Sequence, residues 1–281
     1  MILYLCYMCA FHFLNKIVKK KIFSFFKSFA RIKKISITFV KKAIFMANNS
    51  QIKKLFDGFV ALLFPEVCKK CGKDLFAEEI LLCKRCCSKL PQTGFEHSNS
   101  NPVAQLLWGK VNIEHAFALF YFRKGETLQK IIHLLKYKRN TKAGELLGKI
   151  AGKKLKELSF VHNIDYLIPV PLHPKKMKIR GYNQCDILSD TISKFTNIPV
   201  QKNILIRNIY NVSQTKKGKF DRWKNVEGIF KLTQTESLEG KHILLIDDVI
   251  TTGSTLEACC HTLLQIPNVK VSLLSIGFSS N

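Results

Sequence analysis

One stretch near the carboxyl end of this 281-residue chain decides its fold: Ile243-Leu-Leu-Ile-Asp247-Asp248-Val-Ile-Thr251-Thr252-Gly253-Ser254-Thr255-Leu256. The four leading apolar residues predict a buried strand, and the residues after Gly253 predict a helix. Asp247 and Asp248 come at the carboxyl end of the predicted strand, where ligands bind in open α/β sheets. The stretch therefore predicts a strand, a loop and a helix that together carry a ligand site.

The loop of this unit has the composition of a phosphate cradle. Hydroxyls and free backbone N–H groups at a helix N-terminus bind phosphate, and Gly253 lets the backbone approach an anion closely. The adjacent Asp247 and Asp248 can hold two vicinal hydroxyls, or a Mg²⁺ bridged to them. An acidic strand end before a Ser/Thr-capped helix explains each feature alone, but not the ordered set. The phosphate-binding residues are predicted to be Thr251, Thr252, Gly253, Ser254 and Thr255.

Upstream of this unit, apolar runs alternate with helical patterns from residue 116 onward. This alternation predicts an α/β domain over 112–281, with a mainly parallel sheet and helices on both faces. Residues 92–110 are polar and predict a linker or loop, and the basic segment 171–183 predicts a loop after a strand. The predicted strands are 116–122, 166–170, 202–206, 242–246 and 269–278, and the predicted helices are 127–137, 141–158, 184–195 and 255–265.

A second module, over 55–91, is predicted from cysteine spacing. Two C-x-x-C pairs can bring four thiolates together in a tetrahedral site suited to zinc. No His or carboxylate is placed as a ligand beside an open position, so the metal is expected to be structural. Two disulfides are the alternative, and the expected cytoplasmic, reducing location disfavours them. The predicted ligands are Cys68, Cys71, Cys83 and Cys86, with Cys87 as a possible replacement for Cys86.

The net charge of +25 is unevenly distributed. Residues 1–45 contain nine Lys, one Arg and no acid, which leaves +15 for the rest of the chain. This basic extension can lie on anionic lipid, it can bind nucleic acid, or it can be an upstream extension of the reading frame before Met46. No run of 18 apolar residues occurs, so an ordinary membrane-spanning helix is not expected. A hydrophobic content of 47% excludes wholesale disorder and collagen-like structure.

The stretch around Asp247 resembles the signature by which type I phosphoribosyltransferases bind 5-phosphoribosyl 1-diphosphate (PRPP). The resemblance implies that Asp247 and Asp248 hold the ribose hydroxyls with Mg²⁺, and that the hydroxyl loop 251–255 holds the 5-phosphate. For the diphosphate, Lys175, Lys176, Lys178 and above all Arg180 are available. A flexible loop closes over the diphosphate in that family. Arg180-Gly181-Tyr182 or Lys216-Lys217-Gly218-Lys219 can take that part here.

Two further segments and the four-cysteine module make the chain similar to the ComF family, which is phosphoribosyltransferase-like and linked to DNA uptake in competence. The segments are Ile168-Pro-Val-Pro171-Leu-His-Pro174 through Arg180-Gly-Tyr-Asn183-Gln184, and Arg207-Asn through Gly228-Ile-Phe230. The resemblance implies a PRPP-binding enzyme with catalytic Asp247, Asp248 and Arg180, and it does not name the acceptor. The alternative is a nucleic-acid-binding competence factor with a regulatory or inert PRPP site, whose partner would be single-stranded DNA or the DNA-uptake machinery.

Overall fold

The structure is a computed structural model that describes residues 66–76, 78–207, 229–233 and 235–279. The basic extension 1–45, the lead-in to the cysteine module before residue 66 and the lysine-rich segment 216–219 lie outside these residues. The chain divides into two compact units, one with residues 1–67 and 72–75 and one with 68–71 and 76–281. In the first unit, Val67 and Asp74 form an antiparallel bridge. The predicted boundaries at 55–91 and 112–281 stay predictions.

A parallel sheet forms the centre of the described part of the second unit. It has four strands in the order β1-β6-β5-β2, and every neighbouring pair is parallel. The predicted α/β architecture is confirmed. The four strands are β1 (Ala116–Tyr121), β2 (Tyr166–Pro169), β5 (His242–Ile250) and β6 (Lys270–Phe278), and a separate antiparallel pair contains β3 (Leu205–Arg207) and β4 (Phe230–Leu232).

Seven α-helices are described, and the long ones agree with the predicted periodicity. In α3, for example, Leu128, Ile131, Ile132 and Leu135 are all buried, as their helical spacing predicts. The helices are α1 (Lys84–Cys87), α2 (Pro102–Gln105), α3 (Thr127–Tyr137), α4 (Thr141–Lys156), α5 (Pro174–Arg180), α6 (Gln184–Thr196) and α7 (Ser254–Leu263).

Helices α4 and α6 pack against each other through a row of small residues. A Cβ added at Gly148 would lie 2.6 Å from Thr191 Cβ and 3.1 Å from Leu188 O. Gly144 and Gly152, one turn away on either side, meet α6 at similarly short distances. Since α6 also contacts β2 and β5, this close packing sets the position of the α6 N-terminus at the carboxyl edge of the sheet.

The sheet has helices on both faces, as predicted. Ile243 and Leu245 of β5 pack in one buried cluster with Leu256 and Cys259 of α7. Because side chains alternate along a strand, Leu244 and Ile246 point to the opposite face, and both are fully buried there. This alternation continues into the acidic end of β5, so Asp247 and Asp248 point to different faces of the sheet.

Three sequence predictions need correction. Strand β5 extends to Ile250 rather than ending at residue 246, because β6 continues beside it and pairs with it there. The predicted strand 202–206 is shorter and shifted, since β3 is Leu205–Arg207. Residues 92–110 are not a linker: Val103 and Leu107 are fully buried in the core beside α7. The side chain of Asn101 accepts hydrogen bonds from the first N–H groups of α2 and thereby caps that helix.

Candidate functional site

The two acids of the motif lie near the carboxyl end of strand β5 and have different partners. Asp248 is buried, and its Oδ1 lies 2.8 Å from Nζ of Lys136 at the end of α3. Asp247 Oδ1 accepts a hydrogen bond from the backbone N–H of Asp248 at 2.8 Å, and a weaker one from Sγ of Cys185 at 3.6 Å. One carboxylate therefore has a cation beside it, whereas the other has two neutral donors.

The pKa of Asp247 is shifted by its burial and by these partners. Burial raises the pKa of Asp247 to about 7, and the negative charge of Asp248 acts in the same direction. The hydrogen bond from Asp248, the charge of Lys136 and the Cys185 thiol lower the pKa again by smaller amounts. Near neutral pH, Asp247 can therefore accept or donate a hydrogen bond to a ligand hydroxyl.

The hydroxyl loop lies directly between β5 and α7, as its sequence predicts. Gly253 has a left-handed backbone with φ of 78° and stands at the cap position of α7. Since no side chain caps this helix, its first N–H groups face outward as donors. Thr251 and Thr252 are exposed, and Thr252 Oγ1 lies 3.0 Å from Ser254 Oγ. A loop of hydroxyls over uncapped N–H groups can bind a phosphate.

The basic segment 171–183 contains a helix, which corrects the loop prediction. In α5, His173 Nδ1 accepts a hydrogen bond from the N–H of Lys175, Pro174 is the first helical residue and Gly181 closes the helix with φ of 85°. Proline at the start and glycine just after the end are a known sequence signal for a helix, so this element was predictable. Arg180, the predicted diphosphate ligand, lies in the last turn of α5.

Arg180 is held by two contacts in the described structure. Its Nη1 donates a hydrogen bond to Gln184 Oε1 at 2.8 Å, and its guanidinium lies 5.4 Å from the centre of the Tyr137 ring. The hydroxyl of Tyr182 donates to the carbonyl of Leu135, so the segment after α5 is joined to the end of α3. Arg180 therefore lies beside Tyr137, the residue that follows Lys136 at the end of α3.

Three polar groups at this edge were missed by the sequence reasoning. Lys136 has no role in the predicted site, yet it forms an ion pair with Asp248. Gln184 Nε2 and Arg207 Nε are buried and have no hydrogen-bond partner in the described part of the chain. No local spacing marks these residues, because they come from three elements that are distant in sequence.

The four predicted cysteine ligands form a compact cluster. The Sγ atoms of Cys68, Cys71, Cys83 and Cys86 all lie within 4.8 Å of one another, and this group can hold a metal ion. The fifth candidate, Cys87, is outside this group, and its Sγ lies 3.8 Å from the carbonyl of Leu82. The geometry therefore selects Cys86 over Cys87.

The surroundings of the cluster shift the pKa values of Cys68 and Cys86 in opposite directions. Burial alone would raise the pKa of Cys68, but backbone N–H donors led by that of Cys83 lower it to about 6. Burial and the hydrogen bonds among the thiols raise the pKa of Cys86 to about 12. Four thiols so close together cannot all ionise without a cation, and a bound metal ion would supply that charge.

Two cysteines and two histidines outside the candidate site have structural surroundings. Cys259 and Cys260 are fully buried in α7. His115 Nδ1 lies 3.1 Å from Asn99 Oδ1, and His242 Nε2 lies 2.9 Å from Ser272 Oγ.

In the described part of the chain, no helix has the length and the hydropathy needed to cross a membrane.

Comparisons with known proteins identify the domain that carries this site. Residues 189–277 match the phosphoribosyl transferase domain family. The chain is 28% identical over 194 residues to competence protein F of Haemophilus influenzae, covering 68% of this chain and 80% of that protein. It is 38% identical over 99 residues to competence protein ComFC of Bacillus subtilis, covering 35% of this chain and 38% of that one. These relatives confirm the resemblance to the ComF family.

Among solved structures, the adenine phosphoribosyl transferase of Trypanosoma brucei is 13% identical, with a TM-score of 0.35. The alignment covers 57% of this chain and 83% of that enzyme. The assignment of the domain does not depend on this similarity.

Proposed function

We propose that this chain binds PRPP with Mg²⁺ at the carboxyl edge of β5 and transfers its phosphoribosyl group to an acceptor. One observation carries the proposal: the two acids at the end of β5 lead through a hydroxyl loop into the uncapped N-terminus of α7. A sugar with a phosphate on one side matches that order of groups. Asp248 then accepts hydrogen bonds from the ribose hydroxyls, and the loop that binds the 5-phosphate consists of Thr251, Thr252, Gly253, Ser254 and Thr255.

The charges around this edge fit the other end of the same ligand. Burial lowers the pKa of Lys176, and the positive charges of Arg180, Arg207 and Lys136 lower it further, so each of these three cations lies near enough to Lys176 to act on it. A diphosphate would neutralise them. Mg²⁺, when bound, would offset part of the diphosphate charge and make it a better leaving group.

In the proposed reaction, the bond between ribose C1 and the diphosphate oxygen breaks, and the diphosphate leaves with the electron pair. The acceptor forms a bond to C1 and loses a proton. The transition state resembles an oxocarbenium ion, so it requires positioning and charge stabilisation more than a strong nucleophile. Asp248 on the ribose side and Arg180 on the diphosphate side are suited to those two tasks.

Calorimetry with PRPP and Mg²⁺ tests the proposal. The variant with both Asp247→Asn and Asp248→Asn should lose at least tenfold in affinity, since each charge-assisted hydrogen bond contributes about 1.5–3 kcal/mol. Glu239→Gln, an exposed carboxylate outside the site, is the matched control and should bind as wild type does. A wild-type chain that releases no heat, or a double variant that binds equally well, would contradict the proposed function.

For the cysteine cluster we propose a structural zinc held by Cys68, Cys71, Cys83 and Cys86. Its closed set of four thiolates leaves no position for a substrate. Free thiols of this kind are stable in a reducing compartment, and we therefore also propose a cytoplasmic location. The names of the relatives support a role in DNA uptake during competence.

A second candidate function, binding of single-stranded nucleic acid, is supported by one observation. The segments 127–144 and 166–185 contain nine Lys and Arg and no acid, and they meet where Arg180 lies over Tyr137. Tyr137 is 61% exposed, so it can stack on a base beside cations that contact phosphates. This basic surface would guide a DNA strand past the mouth of the phosphoribosyl site.

An electrophoretic shift of single-stranded DNA across a salt series tests this candidate. The paired variant Lys138→Gln and Lys178→Gln, both exposed on the basic surface, should reduce the salt slope by roughly 1.4, or about 0.7 per lost phosphate contact. Lys194→Gln with Lys231→Gln, exposed lysines from other elements, should leave it unchanged. No shift even at low salt would exclude this function.

A further inference from the structure

A lysine from outside the motif forms an ion pair with one of its two acids. Lys136 lies in the last turn of α3, and its Nζ is 2.8 Å from Oδ1 of Asp248. The side chain of Lys136 is 21% exposed and that of Asp248 is 11% exposed. Salt screens such a pair less than it screens a surface pair, so the attraction between the two charges is substantial.

The surroundings of this pair hold more positive charge than one carboxylate can neutralise. The charges of Lys136, Arg180 and Arg207 all act on Lys176. In addition, Arg207 Nε is a buried donor with no hydrogen-bond partner among the described residues. A donor left unpaired in a buried position is costly unless a ligand or water fills it. These groups therefore form a basic site suited to an anion, and Lys136, which pairs with Asp248, is one of its cations.

We propose that Lys136 changes partners when PRPP binds. In the ligand-free chain its ammonium neutralises Asp248, and in the complex it turns to the diphosphate and frees Asp248 for the ribose hydroxyls. This inference rests on the proposed function and adds to it a residue that determines specificity. A lysine ammonium is suited to such an exchange because it is a point charge on a flexible stem with three rotatable donors.

The exchange predicts which ligands bind well. Breaking the pair between Lys136 and Asp248 is costly, since it leaves a buried carboxylate without its cation. A diphosphate offers Lys136 a replacement partner of higher charge, whereas ribose 5-phosphate offers none. The wild-type site should therefore favour PRPP over ribose 5-phosphate, and this preference should depend on Lys136.

Calorimetry with these two compounds, each with Mg²⁺, tests the exchange on the full zinc-loaded chain. Lys136→Gln should weaken PRPP binding by roughly ten- to a hundredfold, as loss of a partly buried charge contact does. It should leave ribose 5-phosphate binding equal or tighter, because Asp248 no longer has to be released. Lys136→Arg should restore part of the preference. Lys130→Gln, exposed on the same helix, should match wild type for both compounds.

The possible outcomes separate the two proposals. Equal weakening of both compounds in Lys136→Gln would show a structural role and overturn the exchange, as would unchanged PRPP binding. If wild type binds neither compound, the proposed function fails, and the exchange fails with it. If Lys136→Gln does not fold, the wild-type ¹⁵N resonance of the Lys136 ammonium decides. It should move on addition of PRPP and not of ribose 5-phosphate, and a resonance that moves with neither or with both contradicts the exchange.

Discussion

The cysteine cluster and the acidic edge of β5 differ in the kind of ion that would balance their charge. In both, groups of like charge are brought close together in partly buried surroundings. The four thiols lie within 4.8 Å of one another, and a metal ion would balance their charge when they ionise. At the acidic edge, Lys136 lies 2.8 Å from Asp248, and the additional cations of α5 and β3 need an anion. The first region is therefore suited to a permanent metal and the second to an exchangeable polyanion.

Removing one thiol should have the largest effect, because the metal site then loses its fourth ligand. We expect Cys86→Ser to abolish stoichiometric zinc binding, since structural zinc contributes on the order of 10 kcal/mol of coupled folding free energy. Metal analysis of the purified chain measures this directly.

The neighbouring cysteine supplies the control for this prediction. Cys87→Ser should retain one zinc per chain, because the Cys87 thiol lies outside the group of four. Zinc lost from both variants, or from neither, would contradict the assignment of Cys86 as the ligand.

At the acidic edge, Asp247 should make the stability of the fold depend on pH. Its folded-state pKa of about 7 lies above the ordinary value of 3.8, so the folded state favours the protonated acid. The stability that this protonation contributes is full below about pH 4 and is lost as the pH rises through 7.

The corresponding measurement compares Asp247→Asn with wild type by thermal unfolding across this range. At pH 8 the variant should be more stable by up to a few kcal/mol, at about 1.4 kcal/mol per pKa unit, and at pH 4 the two should nearly coincide. Glu239→Gln should give a difference independent of pH. An Asp247→Asn difference that is also flat would refute the raised pKa.

The packing of α4 against α6 should affect the acidic edge but not the metal. Gly148→Ala places a Cβ only 2.6 Å from Thr191, and overpacking of this kind costs about 1–3 kcal/mol. Because α6 carries Cys185 to Asp247, PRPP binding should weaken as well, while the zinc content stays at one.

Denaturant unfolding and metal analysis of this variant check both statements. Lys156→Ala, exposed at the end of α4, is the matched control and should change neither quantity by much. A stability equal to wild type in Gly148→Ala would mean that the two helices separate without cost.

The same contrast explains how much could be predicted from sequence. The cysteine ligands and the motif from Asp247 to Thr255 were found because their residues are neighbours in the chain, where spacing alone carries the chemistry. Lys136 and Arg207 were missed because only the folded sheet brings α3 and β3 to β5. The linker prediction for 92–110 was wrong because polar residues outnumber the few, such as Val103 and Leu107, that enter the core.

The most direct test is a crystal structure of the full chain with PRPP and Mg²⁺. The account predicts the 5-phosphate at the N-terminus of α7, the ribose beside Asp247 and Asp248, and the diphosphate within hydrogen-bond distance of Lys136 and Arg180. PRPP bound elsewhere on the chain, or bound at this edge with the Lys136 and Asp248 pair still at 2.8 Å, would contradict it.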